Sequence, residues 1–270
     1  MKLGISSYTF PWAIGVPGYP PPQPLRPLGL LQKAADLGVR VLQVCDNLPL
    51  DRLSATELNT FQKRADDLGV SIEVGTRGVH PQHLLAYLRL AERLYSPIVR
   101  IVTDVGAHRP GDDELVCLLS GVLPAFAQAG ITLAIENHGR HSAAQLLAIL
   151  ERLANPYAGI CLDTSNSFGA LELPQTVVEV LAPWTVNLHI KDFTIHRLSH
   201  QFGYIIEGCP AGRGQLDIPR LLQRLRQEGR DCNAIVELWT LPEETVAATI
   251  AKQEAWAVES IAYLRRFIGD

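Results

Sequence analysis

Eight short runs rich in β-branched residues recur along this chain, at 2–6, 39–44, 70–74, 98–102, 131–135, 158–162, 185–190 and 234–238. Between them lie segments with apolar residues at helical spacing: LLQKAADLG, ELNTFQKRADDLG, HLLAYLRLAERL, AAQLLAILERL and IPRLLQRLRQEG. Each is long enough to form the crossover helix that joins parallel strands. Eight β-α units in 270 residues match one (β/α)8 TIM barrel, an α/β fold, whereas a doubly wound sheet usually stops at five or six strands.

The punctuation agrees with these boundaries. Gly38, Gly69, Gly130 and Gly229 follow helical patterns and precede strands, where a left-handed C-cap is wanted. Pro81, Pro174 and Pro219 stand at or near helix starts, where a missing N–H costs nothing. The one low-complexity stretch, 17–27, falls in the first strand-to-helix loop, and no linker divides the chain, so residues 1–270 read as a single domain.

Composition narrows the ligand. Lys and Arg total 24 against 28 Asp and Glu, a net charge of −4, which offers no field for nucleic acid or an anionic membrane. Five cysteines, odd in number and without a C-x-x-C pair, read as reduced core residues of a cytoplasmic protein. No stretch of 18 apolar residues and no signal-peptide pattern occurs. The expected partner is a small molecule, and the outer helices of such barrels often serve as homo-oligomer contacts.

In a (β/α)8 barrel, chemistry sits where the strands end. ITLAIE ends at Glu136, followed by Asn137 and His138; GICLD ends at Asp163; VNLHIKD carries His189 and Lys191; AIVELW places Glu237 two residues before Trp239. A single acid at a strand end is most often a helix cap or a loop hydrogen-bond acceptor. On four consecutive strands, however, Glu136, Asp163, His189 and Glu237 can converge on one ion. Three carboxylates and an imidazole suit Mn²⁺, Mg²⁺, Co²⁺ or Zn²⁺, and the thiolate-free set argues against structural zinc.

The motifs IENH, CLDTSNSFG, NLHIKDF, GRGQLD and VELW, in that order and spacing, resemble the xylose isomerase-like TIM barrels. That superfamily contains sugar isomerases, ketose epimerases, inosose-processing enzymes and the endonuclease IV group. The resemblance spans nearly the whole chain, from SSYTF to the last helix. It implies that Glu136, Asp163, His189 and Glu237 are metal ligands and that the two glutamates are the acid-base pair on opposite faces of a metal-bound sugar. Lys191 matches a position that often faces substrate, and Gly212, Gly214 and Asp217 match the family's glycine-rich loop. Two positions depart from the ketose 3-epimerase pattern: Ser142 stands where a glutamate is usual and Asn166 where a histidine is. The additional histidines of the endonuclease branch are also missing.

A divalent ion chelated by a carbonyl and its neighbouring hydroxyl acidifies the adjacent C–H and stabilises an enediolate. Glu136 or Glu237 then returns the proton to another face or carbon, so a sugar isomerase or epimerase of carbohydrate metabolism is expected, with Lys191 stabilising the oxyanion or, with a depressed pKa, donating a proton. The same enolate arises when a 3-oxo acid loses carbon dioxide or when water is eliminated, which makes a lyase the alternative. A non-catalytic sugar-binding barrel is disfavoured, because clustered carboxylates without an ion repel one another. The expected substrate contacts are Tyr8, Asn47, Arg77, His138, Asn166, Arg213 and Trp239, with Phe10 and Trp12 as further aromatics and the segments 11–27 and 193–215 as long loops able to act as lids.

Overall fold

Apolar runs bounded by glycine and proline fold here as parallel strands, and the computed structural model, which describes residues 1–269, closes them into a barrel. The barrel strands are β1 (Leu3–Ser6), β2 (Val41–Val44), β3 (Ser71–Arg77), β4 (Ile98–Val102), β5 (Thr132–Glu136), β6 (Ala158–Asp163), β7 (Thr185–Ile190) and β10 (Asn233–Val236). Neighbours pair in the order β1-β10-β7-β6-β5-β4-β3-β2, every pairing parallel. The described residues thus form one (β/α)8 barrel, the fold expected from the eight strand-like runs. β3 extends to Arg77, beyond the expected end at 74, while β10 stops at Val236 and leaves Glu237 outside the strand. The Glu237 N–H still donates to the Ile190 carbonyl at 3.1 Å, so its backbone remains fastened to β7.

A ring of helices surrounds the barrel: α2 (Pro27–Asp36), α3 (Ala55–Leu68), α4 (Pro81–Arg93), α5 (Asp112–Ala129), α6 (Ala143–Leu153), α7 (Pro174–Leu181), α8 (Ile218–Gln227) and α9 (Val246–Leu264). Their starts follow local chemistry. Ser54 and Ser142 form capping boxes with Glu57 and Gln145, worth about 1 kcal/mol each. Ser142 is therefore a helix cap. The four C-terminal glycines adopt φ between +64° and +69°. Fully buried Leu30, Phe61, Leu84, Leu115 and Phe126 fill the layer between helices and strands, and truncating any one of the leucines to alanine would cost about 2–5 kcal/mol. The barrel interior is different: Gln43, Glu73, Arg100, Asn187 and His189 are all buried polar residues.

Neither expected lid is an open loop. Segment 11–27 begins with the short helix α1 (Pro11–Ile14), whose buried Trp12 donates from Nε1 to the Thr240 carbonyl at 2.8 Å and stacks edge-on against Tyr19. Most of segment 193–215 forms an antiparallel hairpin, β8 (Asp192–Arg197) and β9 (Tyr204–Cys209). Its strands pair with Ile195 opposite Ile206, but neither DFTIHR nor YIIEGC is an apolar β-branched run like those of the barrel. All five thiols are free; Cys117, expected in the core, is exposed on α5. Among the described residues no helix is long and apolar enough to cross a membrane.

Candidate metal and substrate site

Each of the four predicted metal-ligating side chains is buried at the carboxyl end of the barrel: Glu136 and Asp163 end β5 and β6, His189 is the penultimate residue of β7, and Glu237 follows β10. His189 Nδ1 lies 3.4 Å from Glu136 Oε2, 3.4 Å from Glu237 Oε1 and 3.7 Å from Asp163 Oδ2. It is buried without a hydrogen-bond partner, and one ligand atom each from Asp163, His189 and Glu237 lie within 4.8 Å of one another. Donors about 2.0–2.2 Å from one ion stand roughly 3 Å or slightly more apart, so this buried, unpartnered nitrogen among carboxylates fits a divalent cation.

The carboxylates are aimed by their own partners. Asp163 Oδ1 accepts the N–H groups of Ser165 and Asn166, both at 2.9 Å, which turns Oδ2 toward His189. Asn137 clamps the end of β6 from both sides, accepting Asp163 N–H at 2.7 Å and donating to its carbonyl at 2.8 Å. Ser6 Oγ donates to Glu237 Oε1 at 2.8 Å, and Asn166 Nδ2 donates to Glu136 Oε1 at 2.7 Å. Asn166 therefore orients a carboxylate and also lines the cavity.

Lys191 Nζ sits 2.7 Å from Asp163 Oδ2 and 2.8 Å from Glu237 Oε2, close enough for ion pairing although outside hydrogen-bond alignment with either oxygen. Burial alone would lower its pKa, but Asp163 and Glu237 raise it above the usual lysine value. Without an ion, the two adjacent carboxylates therefore favour the cationic form of Lys191, opposite to the depressed pKa expected from the sequence. Burial opposes ionisation of Asp163 and Glu237 as well, yet Lys191 and His189 hold both carboxyls below their ordinary range. These same carboxylates, Glu237 foremost, raise His189 against the opposing effect of burial.

Above this cluster lies a cavity of about 260 Å³ lined by Tyr8, Arg77, His138, Asn166, Lys191 and Trp239, with Glu136, Arg100 and Glu237 among its other walls. Five expected substrate contacts, Tyr8, Arg77, His138, Asn166 and Trp239, therefore meet there. Two do not. Asn47 donates to the Ser7 carbonyl at 3.0 Å and braces the ends of β1 and β2. Arg213 is exposed and paired with Glu259, because the glycine loop carrying it turns outward. That loop is pinned by Asp192, whose carboxylate accepts the N–H groups of Phe193, Gly212, Gly214 and Leu216 at 2.8–3.1 Å. A Cβ at Gly214 would come within 2.1 Å of Asp192 Oδ1, so glycine there serves close packing, and Asp217 caps α8.

Arg100 and Asp46 escaped sequence reasoning. Arg100 is buried in the middle of IVRIV, pairs through Nε with Glu136, and reaches Asp46 Oδ1 at 3.1 Å. Asp46 also accepts from Tyr8 Oη at 3.0 Å and Arg77 Nε at 3.3 Å. Burial raises its pKa, but Arg100 and Arg77 overcome that and hold the carboxyl below its usual value. The available signal was a charged residue inside an otherwise apolar strand, which must find a partner within the barrel.

A carboxylate-histidine cluster at the carboxyl end of a parallel (β/α)8 barrel, under a polar cavity, defines a class of metal-site barrels. The sequence assigns the chain within that class: residues 31–267 match the model of the xylose isomerase-like TIM barrel family, and the chain belongs to that family. A curated relative, the 3-oxo-isoapionate decarboxylase of Pectobacterium atrosepticum, is 37% identical over 264 residues, covering 98% of this chain and 95% of that one. The crystal structure of a D-psicose 3-epimerase in the presence of D-fructose superposes with a TM-score of 0.73 at 18% identity over the full length of both chains. A xylose isomerase-like barrel protein from Mycobacterium smegmatis, in complex with magnesium, gives a TM-score of 0.71 at 14% identity, covering 97% of each chain. Likenesses at these low identities concern the fold.

Proposed function

We propose that this protein is a divalent-metal-dependent lyase that releases carbon dioxide from a 3-oxo sugar acid. The observation that carries the reading is the charge balance of the ion-paired groups at and beneath the cavity. Four carboxylates, Asp46, Glu136, Asp163 and Glu237, face three permanent cations, Arg77, Arg100 and Lys191. With His189 neutral, this leaves one excess negative charge; a divalent ion turns it into one excess positive charge, which one substrate carboxylate cancels. Similarity to a 3-oxo acid decarboxylase across nearly the whole chain supports the same choice.

Glu136, Asp163, His189 and Glu237 would hold the ion, which supplies Lewis-acid stabilisation of negative charge developing on the 3-oxo oxygen. Arg77, half-exposed at the mouth, would orient the substrate carboxylate. The C1–C2 bond breaks, carbon dioxide departs, and its electron pair moves into C2=C3 and onto the C3 oxygen. The Lys191 ammonium adds a fixed positive charge beside that oxygen. The Lys191 ammonium, with Nζ 2.8 Å from Glu237 Oε2, donates the proton that replaces carbon dioxide at C2 and regains one from solvent by way of the Glu237 carboxylate.

A second reading, isomerisation or epimerisation of a small sugar, rests on a different observation. Glu136 and Glu237 both line the cavity, each 3.4 Å from His189 Nδ1, which offers two carboxylates for removing a proton from one carbon and returning it elsewhere. Incubation of the Mn²⁺-loaded protein with 3-oxo sugar acids and with ketoses in deuterated water separates the two. The lyase releases one carbon dioxide per deuterium incorporated at C2; deuterium exchange or ketose interconversion without carbon loss would establish the second reading instead.

A further inference from the structure

Beneath the candidate metal site, a buried hydrogen-bond network crosses the barrel and ends on His189. Gln43 of β2 faces His189 of β7, with Oε1 2.7 Å from Nε2. The Gln43 Nε2 group donates to Glu73 Oε2 at 3.0 Å and to Asn187 Oδ1 at 2.9 Å. Glu73, on β3, also accepts from Asn187 Nδ2 at 2.9 Å and from Asn233 Nδ2 at 2.7 Å. Two thiols mark the opposite ends of the amides: Cys45 donates to Gln43 Oε1 and Cys161 to Asn187 Oδ1, each at 3.4 Å. Gln43, Glu73, Asn187, Cys45 and Cys161 are all buried.

The direction of every bond follows from its ends. Burial pushes the Glu73 carboxyl up, but its oxygens face three amide N–H groups, from Gln43, Asn187 and Asn233, which favour the accepting carboxylate, so the amides of Gln43 and Asn187 turn their NH₂ groups toward Glu73. Gln43 Oε1 is then left as an acceptor facing the histidine, and an imidazole nitrogen facing an acceptor must carry the proton. We propose that Gln43, oriented by Glu73 and Asn187, is a positioning residue for metal binding: it holds His189 with the proton on Nε2 and leaves the Nδ1 lone pair facing the carboxylates. The inference rests on the reading that His189 ligates the ion. It extends that reading to three residues that touch neither the ion nor the substrate, and Asn233 carries the network on toward the start of β10.

Mn²⁺ titration calorimetry, run beside thermal unfolding of the same metal-free samples, tests it. In Glu73→Gln the carboxylate that orients Gln43 becomes an amide, so the Gln43 amide can rotate and offer N–H to His189. Mn²⁺ affinity is expected to fall roughly 10–100-fold, the usual effect of losing a partner behind a ligand. Gln43→Met, similar in length but without the acceptor, should lose a comparable factor. The double variant Gln43→Glu/Glu73→Gln, which restores an acceptor at position 43, should recover affinity. A merely structural network would instead lower unfolding temperature in every variant without this order in affinity.

Should a variant fail to fold, the wild type still decides. In its Co²⁺-loaded form, the exchangeable hyperfine-shifted imidazole proton of His189 should be on Nε2 and should exchange slowly with D₂O. Wild-type Mn²⁺ affinity in both single variants overturns the role of Gln43 alone, whereas finding that proton on Nδ1 overturns it together with Nδ1 as the ligand atom. Absence of Mn²⁺ and Co²⁺ binding to the wild type would overturn the metal-site reading itself, and this inference with it.

Discussion

Glu237 shows how much one residue carries. Its carboxylate is oriented by Ser6, paired with Lys191 and directed at His189, and the proposed chemistry needs it both to hold the ion and to pass a proton. Glu237→Gln is isosteric, so the circular dichroism spectrum should match wild type while kcat falls by at least about 100-fold; a near-wild-type rate would remove it from the mechanism. Arg77 separates the two functional readings. Replacing it with leucine should raise KM for a 3-oxo acid roughly tenfold or more, the loss of one hydrogen bond to a charged group, with Mn²⁺ affinity unchanged because Arg77 touches none of the four ligands. An uncharged sugar would show no such dependence. Both arginines of interest, Arg77 and Arg213, look alike in sequence, each beside a glycine near a strand end or loop; only the turn direction of the Asp192-pinned loop sends one to the cavity and the other to Glu259.

Among the elements, the hairpin β8–β9 supports the cavity from outside. A Cβ at Gly208 would approach within 2.3 Å of Trp239, so β9 lies directly against the residue that forms one cavity wall. The hairpin in turn is tied to the glycine loop through Asp192. Asp192→Ala would leave the N–H groups of Phe193, Gly212, Gly214 and Leu216 without their acceptor. We expect a loss of at least about 2 kcal/mol in urea unfolding, with faster amide exchange concentrated in residues 205–216; protection equal to wild type there would show that other contacts hold the loop. The barrel strands themselves were readable because runs of β-branched residues are short, apolar and punctuated. The hairpin was not, since its strands DFTIHR and YIIEGC form no apolar β-branched run and the six residues joining them exceed a two-residue glycine turn.

At the scale of the whole molecule, ion binding and protonation should both show in stability. A ligand that binds only the folded state stabilises by about 2.7 kcal/mol at one hundred times its dissociation constant, which in a barrel of this size raises Tm by roughly 5 °C or more. Mn²⁺ should produce that rise and a chelator reverse it; an unchanged Tm would argue against the site. Away from the site, His141 is buried, and burial, with help from Arg140, lowers its pKa below the usual 6.5. The unfolded chain therefore takes up a proton first, so the stability due to neutral His141 is complete above about pH 6.5 and declines as pH falls toward the folded value. Comparing urea unfolding at pH 7.5 and 5.5, His141→Gln should lose less stability than wild type; an equal loss would place the pH dependence elsewhere.

Sequence alone determined the eight parallel strands and the four side chains at consecutive strand ends, because a β-α period and an acid terminating an apolar run are local patterns that survive in one dimension. Tertiary structure alone decided what surrounds them. Strands of a parallel barrel are buried on both faces and show no polar-apolar alternation, so nothing local tells Arg100, Gln43 or Glu73 that it points inward. Closing the barrel brings Gln43 from β2 against His189 from β7, 146 residues apart, and only that closure sets which nitrogen of the imidazole meets the carboxylates.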